Sequence, residues 1–229
     1  MAKSLVILGA ESLGREAAEI ALAGGYSPVK FLDDSATLKG GQVLSLPVLG
    51  GFDAAPLFLS PDTAFFVAVG TAHVREHWMR RLRDGGARLA TLVHPRAEVS
   101  PSARVGANTM VSFGCHLASN VVVGEGNVFW SSVVVSHDCT VGNHCFFGPA
   151  VAMGGYTHIG NYSMFGCGAQ LRSCITIGDR VVVGMGAVVV RPVADDHFAE
   201  AGADPVPIEG RTAEDIYFGR VRTLPRRAG

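Results

Sequence analysis

The chain has 229 residues, 19 basic and 20 acidic side chains, a formal net charge of −1 and 48% hydrophobic residues. That balance provides no basic stripe to neutralise phosphates, so nucleic acid is not the expected partner. No segment reaches the roughly 18 continuous apolar residues of a membrane-spanning helix, so no membrane insertion is expected.

Residues 4–8 form an apolar run too short for a signal segment, and it leads into Gly9-Ala10-Glu11-Ser12-Leu13-Gly14. Residues 15–23 read as a helix and Phe31-Leu32-Asp33-Asp34 as the end of a second strand. Residues 64–70 read as a later strand, and 74–84 as a helix with Trp78 and Leu82 one turn apart. Alternating strands and helices predict a small parallel α/β, Rossmann-like domain over residues 1–92. The glycine turn supports two readings. It is a tight strand-to-helix turn or a sugar-nucleotide site, and Glu11, in place of the middle glycine, would repel a pyrophosphate there. Asp33 and Asp34 are likewise either hydrogen-bonding groups for ribose or base, or a solvated strand end.

From Val99 to Val189 an aliphatic or large apolar residue recurs every six positions, sixteen times without an insertion. The following residue is usually small, as in Gly106, Gly124, Gly142 and Gly160, and the fifth place is again small or aliphatic. A six-residue period fits no helix and marks a β-solenoid. Three hexads make a triangular coil of eighteen residues, stacked at roughly 4.8 Å, so the array predicts about five coils over residues 93–192. Glycine at the second place is expected to supply positive φ or close approach at the corners. Cys115, Cys139 and Cys145 fall on the fifth place; an odd total of five cysteines, with three used as core residues, points to a reducing cytoplasm. After Pro192 the period is lost, and residues 193–229 read as a cap and a solvated tail carrying Arg211, Arg220, Arg222, Arg226 and Arg227.

Within the hexads, His137 occupies an outward corner and is followed by Asp138. A carboxylate beside an imidazole fixes its tautomer and raises its basicity, which suits a general base. Eighteen residues on, Gly155 lies one coil above His137, where a bare amide would suit a thioester carbonyl. His116, His144 and His158 spread over different faces, and no three-ligand zinc site is expected.

These residues carry a resemblance. Val6-Ile7-Leu8-Gly9-Ala10, Gly14-Arg15-Glu16, Phe31-Leu32-Asp33-Asp34, Phe66-Val67-Ala68-Val69-Gly70, His94-Pro95, the hexads and Ser136-His137-Asp138-Cys139 resemble the hexapeptide-repeat (left-handed β-helix) sugar acyltransferases of the sialic-acid and bacillosamine type. The left hand of the solenoid is implied by that resemblance alone, since the general crossover rule predicts a right hand. The resemblance implies a homotrimer with acetyl-CoA between adjacent solenoids and a nucleotide-linked amino sugar held by Ser12, Leu13, Asp33, Asp34 and Gly70; the cysteines point to the cytoplasm, and the histidine spacing to no metal. His137 is then the general base supported by Asp138, with Gly155, Cys167, Met185 and Phe146 along the CoA groove. The implied reaction is direct acylation of the sugar's amine. An O-acyltransferase and a non-catalytic trimeric scaffold are the alternatives.

The chain also departs from the family pattern. Glu11-Ser12-Leu13 replaces small-Gly-His in the turn, Trp130 replaces an asparagine, and Phe146 replaces a second histidine that contacts acyl-CoA. The C-terminal Gly-x-Pro-Ala-Lys signature is absent, with Gly202-Ala203-Asp204-Pro205 in its place.

Overall fold

The computed structural model describes residues 3–200, 204–210 and 212–217. Its N-terminal part is a four-stranded parallel sheet in the order β2-β1-β5-β6. The chain runs β1 (Lys3–Leu8), α1 (Ser12–Ala23), β2 (Tyr26–Leu32), the hairpin β3 (Gln42–Val43) and β4 (Leu46–Pro47), and a 3-10 turn at Phe52–Phe58. It continues through β5 (Thr63–Val67), α2 (Ala72–Asp84) and β6 (Arg88–Leu89). Side chains alternate across a strand, so Leu5 and Ile7 pack on the α1 side while Val6 and Leu8 join Phe65, Val67 and Met79 on the α2 side.

The solenoid consists of seventeen two-residue strands from β7 (Leu92–Val93) to β23 (Val188–Val189). Every third strand pairs in parallel eighteen residues on, which builds three sheets around a triangular prism. There are six coils rather than five. The series opens one hexad before Val99, at Leu92–Val93, and after Val189 the bridge from Ile177 to Val193 carries on the third face. Inside the prism, Phe129, Phe147 and Phe165 stack with centroids 4.6 and 4.7 Å apart and nearly parallel planes, matching the coil rise. Burial pushes the thiols of Cys115 and Cys145 up to about 11 and about 12, so they serve as core residues and not as nucleophiles.

The corners correct one expectation. Positive φ belongs to the fourth place of the hexad, from Asn108 and Gly114 through Asp138, His144 and Tyr156 to Arg180 and Gly186, and few of these residues are glycine. The second-place glycines serve close approach. A β-carbon on Gly142 would stand 2.5 Å from Gly160 O, and one on Gly124 would stand 2.6 Å from Gly142 O.

One face of the prism is apolar outside as well as inside. Leu92, Met110, Val128, Phe146, Met164 and Val182, eighteen residues apart, point outward yet are buried beneath the α/β part and the C-terminal segment. The corresponding outward residues of the other faces, such as Val122, Val134 and Val188, are exposed. The C-terminal end adds β24 (His197–Ala199) in parallel on β22 (Val182–Val183), β25 (Val206–Pro207) antiparallel to β24, and α3 (Ala213–Tyr217). The tail arginines Arg211, Arg220, Arg222, Arg226 and Arg227, with Gly202 and Ala203, lie outside the described residues. Among the described residues no helix is long and apolar enough to cross a membrane.

Candidate active site

Polar contacts of Arg75, Asn108 and Ser112 help fix the α/β part on the apolar face. Arg75 of α2, 1% exposed, donates to the carbonyls of Gly126 and His144 on the solenoid and of Val69 and Gly70 on its own side, at 2.6–3.1 Å. The Asn108 side chain accepts from Val67 N–H at 2.7 Å and donates to Val67 O at 3.1 Å, like an extra rung on β5. Ser112 hydroxyl donates to the Glu16 carboxylate of α1. Buried polar groups need such partners, and here the partners span the junction.

The junction leaves a cavity of about 440 Å³. Gly9, Glu11, Ser12, Leu13, Asp33, Phe52 and the 68–71 segment line it from the α/β part, Trp130 and Phe146 from the solenoid. The first turn of α1 opens on this cavity without a side-chain cap, and uncapped helix N-termini favour anions. Packing accounts for both turn glycines. A β-carbon on Gly9 would stand 2.6 Å from Ala68 O, and one on Gly14 would strike Gly9 O. Asp33 is buried with its carboxylate accepting from Ala10 N–H and Ser35 N–H, both at 2.8 Å. Exposed Asp34 accepts from Phe52 N–H at 2.9 Å and is not among the lining residues.

A second cavity of about 480 Å³ brings Cys167 and Met185 together with Gly166, Gly184, Phe198, Ile216 and Tyr217. Trp130, Gly148, Gly166 and Gly184 are successive residues of one prism edge, eighteen positions apart. The two cavities therefore follow each other along that edge, with roughly 10–14 Å from the level of Trp130 to that of Gly166 and Gly184. Phe146 lines the first cavity, not the second, and its ring meets Tyr217 edge to face at 5.1 Å. The indole Nε1 of Trp130 is buried without a hydrogen-bond partner among the described residues.

His137 stands on a different edge. Trp130 lies between β13 (Val128–Phe129) and β14 (Val134–Val135), whereas His137 lies between β14 and β15 (Thr140–Val141). A full face of the prism, up to about 20 Å of extended chain, separates them. At its own corner His137 touches several neighbours while its side chain stays 57% exposed. Nδ1 lies 2.9 Å from Asp138 Oδ2, Asn120 Nδ2 donates to Asp138 Oδ1 at 3.0 Å, and the Tyr156 ring meets the imidazole edge to face at 5.2 Å. The hydrogen bond with His137, then that from Asn120, holds the Asp138 carboxyl below the usual carboxylate range. Asp138 sits at φ 57°, a conformation that aspartate tolerates. Gly155 lies directly against the imidazole. Its N–H has no acceptor among the described residues.

Three other solenoid histidines have neighbours of their own. His116 pairs with Glu98 at 3.3 Å and His158 with Thr140 at 2.8 Å. His144 is buried and stacked on Tyr162 at 5.4 Å; burial, aided by the Arg75 charge, pushes it down to about 4. Among the described residues no three His, Cys, Asp or Glu side chains cluster as a metal site. The structure thus gathers Ser12, Leu13, Asp33, Gly70 and Phe146 in one cavity, Cys167 and Met185 in another, and His137, Asp138 and Gly155 at a third place. Trp130, Thr71 and Phe52 in the first cavity and Tyr217 in the second carry no local motif. The outward apolar residue recurring every eighteen positions is the signal that locates this edge.

The family model described as PglD N-terminal domain matches residues 4–82, and that described as bacterial transferase hexapeptide (six repeats) matches residues 156–191. PerB from Caulobacter crescentus, solved with CoA and GDP-perosamine, is 32% identical, with 89% of this chain and 97% of that chain covered and a TM-score of 0.82. The acetyltransferase domain of PglB from Neisseria gonorrhoeae is also 32% identical, covering 89% of this chain and all of that one, with a TM-score of 0.84. WeeI from Acinetobacter baumannii, 23% identical with a TM-score of 0.78, shares the fold. The α/β part, the six-coil solenoid and identity across nearly the whole chain place this protein in one family: it belongs to the hexapeptide-repeat sugar acetyltransferases of the PglD type.

Proposed function

We propose that this chain transfers an acetyl group from acetyl-CoA to the amine of a nucleotide-linked amino sugar, with His137 as general base. The observation that carries this reading is the His137–Asp138 pair over Gly155. The bond to Asp138 selects the tautomer with the proton on Nδ1, which leaves the Nε2 lone pair to take a proton. The amine nitrogen attacks the thioester carbon while Nε2 removes the amine proton, and the carbon–sulfur bond breaks to release a CoA thiolate that takes up this proton from Nε2. The N–H of Gly155 would stabilise the oxyanion that forms.

The neighbours support both ligand classes. PerB is crystallised with CoA and GDP-perosamine, including variants with a histidine changed to alanine or asparagine, and the PglB domain with acetyl coenzyme A. In this chain the 440 Å³ cavity is the proposed place of the nucleotide sugar, with Glu11 at the α1 N-cap disfavouring close approach of its pyrophosphate to the helix N-terminus. The cavity at Cys167 and Met185 suits the CoA arm.

The separation of His137 from both cavities is accounted for by a homotrimer. A threefold axis parallel to the solenoid keeps every coil at its own height. His137 belongs to the same coil as Trp130, so in the proposed trimer His137 of a neighbouring protomer stands at the level of Trp130, and facing this edge it would complete the site. The test has two parts. Protein incubated with acetyl-CoA and nucleoside-diphosphate amino sugars yields a product carrying one added acetyl group. His137→Ala and Ser12→Trp, each inactive alone, recover activity when co-expressed, because one composite site keeps both intact halves. Failure of all such sugars to acquire an acetyl group refutes the activity; failure to complement refutes the shared site.

A further inference from the structure

The two cavities are linked by a pair of touching rings. Phe146 of β16 (Phe146–Phe147) lines the first and Tyr217 of α3 lines the second, and their rings are in edge-to-face contact at 5.1 Å. The Tyr217 ring is fixed from two sides. Its hydroxyl donates to Phe165 O at 3.2 Å, and it lies over Gly148, where a β-carbon would stand 2.9 Å from the tyrosine oxygen. Space for the ring thus depends on glycine at the second place of that coil. Burial holds the phenol well above its ordinary pKa, so the hydroxyl stays protonated and keeps its bond to Phe165 O.

This placement has a consequence for the acyl group. If CoA runs along the Cys167–Met185 cavity and the amino sugar fills the other, the thioester carbon lies where they adjoin. An acetyl group ends there, whereas each further methylene must enter the space held by Tyr217 and Phe146. We propose that Tyr217, supplied by the C-terminal segment, limits the length of the transferred acyl chain. It is a specificity-determining residue that closes the end of the donor cavity, and this role rests on the acyltransferase reading above. Phe146 is the less informative of the two rings to alter, because it also covers the apolar face beneath the α/β part.

The experiment compares kcat/KM for acetyl-, propionyl- and butyryl-CoA in the full chain, in Tyr217→Ala and in Tyr217→Phe, with CoA affinity and Tm measured beside them. A pocket wall discriminates single methylenes by about 10–200-fold, so the wild type should prefer acetyl over butyryl by at least about 10-fold. Tyr217→Ala should reduce that preference at least 10-fold, whereas Tyr217→Phe, which keeps the ring, should hold it within about 3-fold. A merely structural role would lower all donors alike and leave the ratio unchanged. Should Tyr217→Ala fail to fold, Tyr217→Leu carries the same test with propionyl-CoA. An unchanged ratio in a folded variant, or a wild type that accepts butyryl as readily as acetyl, overturns the proposal while leaving acetyl transfer intact. A wild type that binds no CoA overturns the acyltransferase reading and this proposal together.

Discussion

The imidazole of His137 lies against Gly155, one coil above it: a β-carbon on Gly155 would stand 2.7 Å from Cε1 and 2.8 Å from Nε2. The atoms it would meet belong to a half-exposed side chain, not to backbone, so the ring can give way. Gly155→Ala should leave stability within about 0.5 kcal/mol of wild type. A displacement of about 1 Å at the base should nevertheless lower kcat at least about 10-fold. Tm and steady-state rates on the same preparation check both halves; an unaltered kcat contradicts the placement of the base.

Asp138 accepts from His137 and Asn120, and its carboxyl is held below the usual range. A depressed carboxylate pKa means the charge is present above the ordinary value near 4 and is lost only as pH falls below it. The pair should therefore remain intact throughout neutral and mildly acidic pH. Asp138→Asn keeps a residue that accepts positive φ and removes the charge, and kcat should fall about 10–100-fold. An Asn variant with full activity at every pH would remove Asp138 from its role.

Arg75 joins α2 to carbonyls on both sides of the junction. Arg75→Met keeps much of the volume but strips those carbonyls of their donor, so unfolding free energy should fall by about 2–4 kcal/mol. Urea denaturation with tryptophan fluorescence measures it. A loss under about 0.5 kcal/mol would show that the apolar stripe alone holds the parts together.

His144 is buried neutral, pushed down to about 4 chiefly by desolvation. The unfolded chain takes up this proton near pH 6.5 and the folded chain only near pH 4, so stability declines as pH falls between those values. The contribution is about 1.4 kcal/mol per pH unit, up to about 3 kcal/mol in all. His144→Asn, which tolerates the φ of 59° at this corner, should flatten the profile by about one proton. Equal slopes for the two proteins across pH 4.5–6.5 would contradict this.

The solenoid was legible because its period is strict: each inward residue must fill the same prism, so composition repeats every six positions. The sixth coil escaped because the series is read only from Val99 to Val189, whereas Val93, exposed at the open end of the prism, and Val193, bridged to Ile177, extend it at each end. The His137–Asp138 corner was legible because adjacent residues in one turn stay adjacent in space. The cavities were less so. Whether Phe146 faces CoA or the α/β part depends on which prism face is covered, and that requires reading every eighteenth residue together. Asp33 shows the other limit: its sequence context points to a ribose, while its oxygens hold the glycine turn and the following loop. Arg75 and Tyr217 act across 51 to 69 and 52 positions of chain, and no local pattern marks them.

The most direct test of the account is the rate of thiol release from acetyl-CoA with UDP-, GDP- and dTDP-linked 4-amino sugars, for the wild type and His137→Ala. The account predicts release with at least one sugar and a loss of at least about 100-fold in the variant, with CoA affinity retained. Release that survives the substitution would contradict His137 as the base.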